Sequence, residues 1–298
     1  MYNVNRVFCS CASAQSKSPV FPYNSLQTFQ ERRDRMKKQL TRISNKLTKT
    51  RVLLRSPELR RHIPVTRKMD QAILLDMLGR YKMVYIKPCC GSLGQGVIRV
   101  ERYGDSSWRY QAGTVVRKFK GYRRAYQAIH SETQGKPYLA QKGVRLLAYK
   151  GRPFDIRVMV QRNLKGAWEA TGLAGRVAHP RKVVTNGSQG GTIFPAEVLL
   201  NANTSSEKSN ALIAEMKRIG VKCARQLATA YPGLQEIGVD IAIDRHFKLW
   251  ILEVNTAPDP CPFTKLPDSS MLQRIIKYGK AHGRTYNLKC MKSRKGMG

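Results

Sequence analysis

Acid is what this chain has least of. Its 298 residues carry 54 Lys and Arg against 19 Asp and Glu, a formal net charge of +35. So lopsided a chain implies a polyanionic environment: nucleotide, nucleic acid, acidic protein surface or anionic polymer. Long apolar runs are missing too. No window approaches the roughly 18 apolar residues of a membrane span, so none is expected. Asn3, Asn5, Arg6 and Ser10 break the first stretch, which argues against a signal peptide. Cysteine does not form a framework. Cys9, Cys11, Cys89, Cys90, Cys223, Cys261 and Cys290 are scattered and odd in number, which predicts reduced thiols in a cytosolic-type compartment. Cys9 and Cys11 lack the partner spacing of a zinc site. His62, His130, His179, His246 and His282 are spread out, so no Ser-His-Asp or Cys-His nucleophile is evident. Internal repeats and long low-complexity segments are absent.

What is present centres on residues 237–255. Two apolar strands, 237–244 and 249–255, flank a short polar turn. Asp240, Glu253 and Asn255 interrupt them. Side chains alternate along a strand, so Glu253 and Asn255 share a face. A turn of even length puts Asp240 on that face, opposite Glu253; an odd turn or a bulge removes it. Opposed carboxylates destabilise a sheet. A cation resolves the conflict, and oxygen donors of this kind suit Mg²⁺. The alternative is a hairpin whose acids face water.

Upstream, Ser25 is a candidate cap for a helix with a partial apolar stripe. A helix is expected over 69–80, with Gly79 near its end, and a strand over 83–88 that stops at Pro88. Strands are also expected over 97–100, 108–116 and 137–144, and a helix over 122–130. Residues 155–161 and 168–176 read as a hairpin turning at 163–166. The longest helix falls at 206–229, where Gly220 is tolerated at some cost. A last helix, 270–282, leads into a basic tail.

Gly91-Ser92-Leu93-Gly94-Gln95-Gly96 follows the strand bearing Lys87. Glycines let backbone N–H groups approach phosphate closely, and Lys87 can add a point charge. No Gly-Lys-Ser/Thr follows, and the next element reads as strand, so neither a Walker A loop nor a dinucleotide fingerprint is present. A tight hairpin turn fits equally. Asp155-x-Arg157 places an acid and a base on one strand face, with Arg176 one hairpin later; a cross-strand ion pair is the plain alternative.

In this order the motifs resemble the ATP-grasp superfamily of carboxylate–amine ligases. Val84-Tyr85-Ile86-Lys87-Pro88, Gly151-Arg152-Pro153-Phe154-Asp155-x-Arg157 and Leu249-Trp250-x-Leu252-Glu253-Val254-Asn255 are most similar to its YheC/YheD branch, associated with endospore coats. The resemblance covers roughly residues 43–262.

It implies an α+β fold, two subdomains clasping a nucleotide. An arm and helix would occupy 1–42. The ATP-grasp domain would occupy 43–262, with a lid-bearing part at 80–145 and a metal-binding part at 146–262. A helix and basic tail would fill 263–298. The resemblance further implies ATP contacts at Lys87, Gly91, Ser92, Gly94, Gly96 and Lys46 or Lys49, with Gln141 and Lys142 at the adenine. Asp240, Glu253 and Asn255 would hold Mg²⁺, or Mn²⁺ in its place. Asp155, Arg157 and Arg176 would serve the reaction, the arginines facing the charge of the transferring phosphate. The implied activity is an ADP-forming ligase using a carboxylate-bearing acidic or peptide substrate, cytoplasmic or coat-associated. Two departures bear on substrate choice: only about 45 residues precede the ATP-grasp segment, and Gln189 stands where related ligases often carry a basic residue. The other readings are a non-catalytic ATP-grasp coat component and a nucleic-acid binder. The dispersed charge supports only salt-sensitive, sequence-independent polyanion binding for the last.

Overall fold

The computed structural model describes residues 43–91, 94–182, 190–288, 290 and 294–296. The helix expected from Ser25, together with Ser92 and Gln189, lies outside them.

Two sheets organise the described chain. The first has the order β1-β6-β2-β3-β4-β5 and is antiparallel throughout. Its strands are β1 (Thr66–Lys68), β2 (Met83–Pro88), β3 (Ile98–Tyr103), β4 (Ser107–Ala112), β5 (Val115–Lys120) and β6 (Tyr138–Lys142). Alternation sorts its faces. Val84, Ile86, Ile98, Val100, Trp108 and Tyr110 are buried in one apolar cluster with Leu74, Leu78, Ala125 and Ile129 of helices α3 (Gln71–Tyr81) and α4 (Tyr122–Thr133). The opposite parity holds Tyr85, Lys87, Arg99, Glu101, Arg109 and Gln111.

Two expectations shift here. Helix α3 begins after Asp70, whose carboxylate accepts the Ile73 N–H at 2.7 Å, and it closes on left-handed Lys82 instead of Gly79. The single strand expected over 108–116 is two strands turning at Gly113-Thr114, where glycine takes φ 56°.

The second sheet runs β12-β11-β8-β9-β10-β13, with β7 (Ala148–Tyr149) beside β8. Its strands are β8 (Arg152–Arg162), β9 (Trp168–Val177), β10 (Thr192–Phe194), β11 (Glu236–Ile243), β12 (Leu249–Asn255) and β13 (Arg294–Lys295). The hairpin of β8 and β9 turns at Asn163–Gly166, as its sequence predicts. Phe154, Ile156, Val158, Val160, Leu173, Val239 and Ile241 form the main core with Met216, Ile219, Cys223 and Leu227 of helix α6 (Ser206–Ala228). Gly220 has a packing reason: a Cβ there would sit 3.0 Å from Val160 Cγ2 and 3.1 Å from Val158 Cγ1. Helices α1 (Lys46–Leu53) and α2 (Pro57–Arg60) bury Val52, Leu53 and Leu59 in this core. No described helix is long and apolar enough to cross a membrane.

The other face of the second sheet is divided. At one end Met159, Ala174 and Ile193 meet Phe263 and Ile275, the latter on helix α7 (Ser270–Ala281). Beside them the buried carboxylate of Glu236 accepts from Tyr286 Oη, from Arg284 Nε at 2.7 Å and from Gln161 Nε2 at 3.2 Å. A bond between Cys261 and Cys290 ties the following segment to the short 3-10 turn Cys261–Lys265. The expectation of wholly reduced thiols is therefore corrected at this pair. Nothing in their spacing of 29 residues announces that the chain folds back past α7. Cys89, Cys90 and Cys223 are free.

Tyr286→Phe deletes one donor to Glu236 and leaves that carboxylate buried. The expected cost is about 1–3 kcal/mol, read as a lower urea midpoint with an unchanged slope; an unchanged midpoint would show the bond to be dispensable.

Candidate functional site

The turn between β11 and β12 contradicts the even-length condition. It has five residues, Asp244 to Lys248, with the Asp244 N–H donating to the Lys248 carbonyl at 3.1 Å. Asp244 organises it: Oδ1 accepts from the N–H groups of His246 and Lys248, and Oδ2 accepts from Trp250 Nε1 at 2.8 Å. Such a turn pairs Ile243 with Leu249 and Ile241 with Ile251, a register that would set Asp240 opposite Leu252. A bulge intervenes there. Leu252 is the extra residue, and Asp240 pairs with Glu253 after all. Two one-residue offsets cancel, and Asn255 pairs with Gly238 further along.

The bulge also supplies an acceptor. The Leu252 carbonyl takes the Lys87 ammonium at 3.4 Å, and Lys87 in turn donates to Gln141 Oε1 at 2.6 Å. Gln141 Nε2 donates to Thr66 Oγ1 at 3.1 Å. One face of β1, β2 and β6 thus meets the outer strand of the second sheet. Helix α1 closes the junction. Its amino-terminal Lys46 lies 3.7 Å from Glu253 and donates to the Gly91 carbonyl at 2.7 Å. Lys46, Lys49, Thr66, Lys87, Gln141 and Glu253 line a cavity of about 20 Å³. That is room for roughly one water, so a nucleotide enters only if the sheets part. Burial lowers the Lys87 pKa against the opposing pull of Glu253. Lys49, only 5% exposed, is lowered to about 8, by burial first and by Lys46, with Glu253 and Asp240 partly offsetting both.

Deeper in the sheet lies a four-residue charge cluster. Asp240 pairs in register with Arg157, and Asp155 with Arg176. Arg157 Nε and Nη2 donate to the two oxygens of Asp240 at 2.5 and 3.2 Å. Arg176 makes a bidentate contact with Asp155, both bonds at 2.7 Å, and reaches Asp240 Oδ2 at 3.0 Å. All four side chains are buried. Burial alone would raise the Asp240 pKa, but the two guanidinium groups outweigh it and hold the carboxyl below its usual range. Burial would likewise lower the Arg176 pKa, and the Asp155 and Asp240 carboxylates raise it instead. Gly238 makes room for this cluster: a Cβ there would stand 3.1 Å from Arg157 Nη1.

Lys87, Gln141, Lys46 and Glu253 therefore converge on one cavity, and Asp155, Arg157, Arg176 and Asp240 on the sheet beside it. Lys142 points elsewhere: its ammonium sits 5.3 Å from both the Tyr81 and the Trp250 ring centroids. Gly91, Gly94 and Gly96 all take positive φ, and a Cβ on Gly96 would lie 2.9 Å from Tyr138 Oη. The Leu252 carbonyl is the acceptor the sequence did not announce, because a bulge is a backbone event without a residue signature. Among the described residues no three His, Cys, Asp or Glu side chains cluster as a metal site.

A family model for the YheC/D-like ATP-grasp domain matches residues 38–281. The chain belongs to this family, whose fold joins helices to antiparallel sheets and binds ATP. Two curated proteins of Bacillus subtilis (strain 168) are similar. Endospore coat-associated protein YheD is 27% identical over 72% of this chain and 48% of its own length. Endospore coat-associated protein YheC is 22% identical over 66% of this chain and 55% of its own. The chain thus spans about half the length of each.

Lys49 makes stability depend on pH. The unfolded chain holds the lysine proton more tightly than the folded one, so between about pH 8 and the ordinary lysine pKa stability rises with pH. Lys49→Met should flatten that rise in urea midpoints measured across the window; an identical slope in the variant would contradict the burial of a charged group here.

Proposed function

We propose that this chain is an ATP- and Mg²⁺-dependent carboxylate–amine ligase that acts through an acylphosphate on an acidic or peptide substrate. One observation carries the reading. Three lysine stems, the buried Lys46 and Lys49 of α1 and the half-buried Lys87 of β2, converge on the strand where Glu253 stands in register with Asp240. Cations gathered without equal countercharge suit a polyphosphate.

Lys46, Lys49 and Lys87 would contact phosphate oxygens, with Gln141 turned toward the same cavity. Glu253 and Asn255 would hold Mg²⁺, with Asp240 across the pair. Oxygen-only donors suit that ion, and a carboxylate has about four lone-pair sites, of which Asp240 uses three to accept from the arginines. Mg²⁺ held by these residues would supply neutralisation of phosphate charge. A substrate carboxylate attacks the γ-phosphorus, ADP leaves, and an amine then displaces phosphate from the acylphosphate. No protein nucleophile is needed. Arg157 and Arg176, fixed by Asp155 and Asp240, present positive charge without reorganisation. Similarity to two endospore coat-associated proteins extends the proposal to a coat-associated role, with the cytoplasm as the place of action.

A second reading, a nucleotide-binding coat component without turnover, draws on the arginines already closing over Asp240. The two separate on one pair of variants. Lys87→Met should abolish the thermal shift given by Mg-ATP. Glu253→Gln should keep a shift with ATP while phosphate release with carboxylate and amine mixtures falls at least about 100-fold. Wild-type binding with no phosphate release on any mixture would select the second reading.

A further inference from the structure

Among the described residues nothing covers the strand that ends the first sheet. β5 is its terminal strand and pairs only with β4. Val115, Val116, Arg117, Lys118 and Lys120 are all exposed, the two valines at 52% and 48%. Both faces of the strand therefore stand in solvent near the turn. The turn fixes which backbone groups are unused. A two-residue loop at Gly113-Thr114 makes Ala112 and Val115 a bonded pair, and every second pair follows suit. The Gly121 N–H donates to the Ser106 carbonyl at 2.9 Å, two residues beyond the Trp108 and Phe119 pair, which agrees with that series. Val116, Lys118 and Lys120 then turn their N–H and C=O groups to the open edge.

The charge on that edge is uncompensated. Lys118 lies opposite Arg109, whose countercharge Glu101 is already shared with Arg99. Among the described residues no carboxylate comes within ion-pair distance of Arg117, Lys118 or Lys120, nor of Arg123 and Arg124 on the helix that follows. Lysines on an edge repel a second copy of the same strand. The same charges attract an acidic one.

We propose that β5 is a docking strand for an extended acidic polypeptide, which adds to the sheet as a seventh strand. Backbone bonds to Val116, Lys118 and Lys120 supply affinity, and acids at alternate positions of the peptide face Lys118 and Lys120 for selectivity. Val116 and Lys118 share parity with Arg99 and Gln111 on the face that bears Lys87. Gln111 Nε2 also donates to the Arg181 carbonyl at 3.0 Å, which ties β4 to the connection after β9. A docked peptide therefore extends the nucleotide face of the sheet. The inference deepens the ligase reading by naming its substrate class, but docking needs no turnover, so each is read by a separate measurement.

The test uses the full chain and an end-labelled peptide of roughly nine residues alternating Glu and Val, followed by fluorescence anisotropy at about 0.15 M salt. The same Glu/Val peptide N-methylated at its glutamates keeps the charge and loses the N–H donors that pair with β5; oligothymidylate is a second polyanion. The Glu/Val peptide should bind at least about tenfold tighter than either, and Lys118→Glu with Lys120→Glu should remove that advantage. The thermal shift with Mg-ATP should stay as in wild type. Amide exchange should slow at Val116, Lys118 and Lys120 when the peptide is bound. Equal affinity for the N-methylated peptide or oligothymidylate, indifference to the charge reversal, protection elsewhere, or no binding would each overturn the proposal.

Discussion

The bond on which most of the site depends is the one between Asp240 and two arginines. Arg157 and Arg176 come from β8 and β9, Asp240 from β11, and Asp155 completes the set from β8. Two cations and two anions cancel inside the sheet, where an unpaired charge would cost several kcal/mol. The cancellation works only if three strands share one register. A one-residue slip would send each of these side chains to the apolar core on the opposite face. The cluster thus acts as a pin for the pairing that also brings Glu253 beside Asp240. Its arginines have their geometry before any ligand arrives, the preorganisation that the proposed phosphate chemistry would require of them.

The fold was readable where pattern and chemistry agree. Lys87, Glu253 and Asn255 stand out because each is a polar residue in an apolar run. The β8–β9 hairpin shows in its alternation and in Asn163-Leu164-Lys165-Gly166, and α6 in its stripe. The misreadings have local causes. Val115-Val116 continues the apolar tone of β4, so two strands resemble one until Gly113 is given its turn. Asp70 stands between the apolar Met69 and Ala72, so the apolar tone runs past it, and its role as cap shows in its bond to Ile73. The bond between Cys261 and Cys290 depends on a tail folding back, which no spacing rule anticipates.

The hairpin of β11 and β12 is the sharpest case. Strand parity identified the condition for Asp240 to join Glu253, yet the condition failed and the outcome held. The turn is odd because Asp244 binds the N–H groups of both His246 and Lys248, a chemistry that closes five residues. The bulge at Leu252 restores the face and frees a carbonyl for Lys87. Period-two reasoning counts residues, and a bulge changes the count without changing the composition.

Scarcity of acid explains how the remaining charge is arranged. Carboxylates in this chain serve more than one cation: Asp240 holds Arg157 and Arg176, Glu101 holds Arg99 and Arg109, and Asp76 holds Arg67 and Arg80. Glu58 likewise meets both Arg218 and Lys222. With 19 acids against 54 bases, sharing still leaves most cations among the described residues without a carboxylate in ion-pair distance. Asp155 and Asp240 neutralise the buried Arg157 and Arg176, where an isolated charge costs far more than in water, while Asp76 and Glu58 serve exposed cations. The surplus collects where solvent supports it, on β5, at the start of α4 and on the outer faces of α1 and α2. The neutral arginine–aspartate cluster and the cationic exterior are therefore two sides of one shortage. It leaves the cavity lysines and the exposed edge as the places where an anionic ligand gains most by binding.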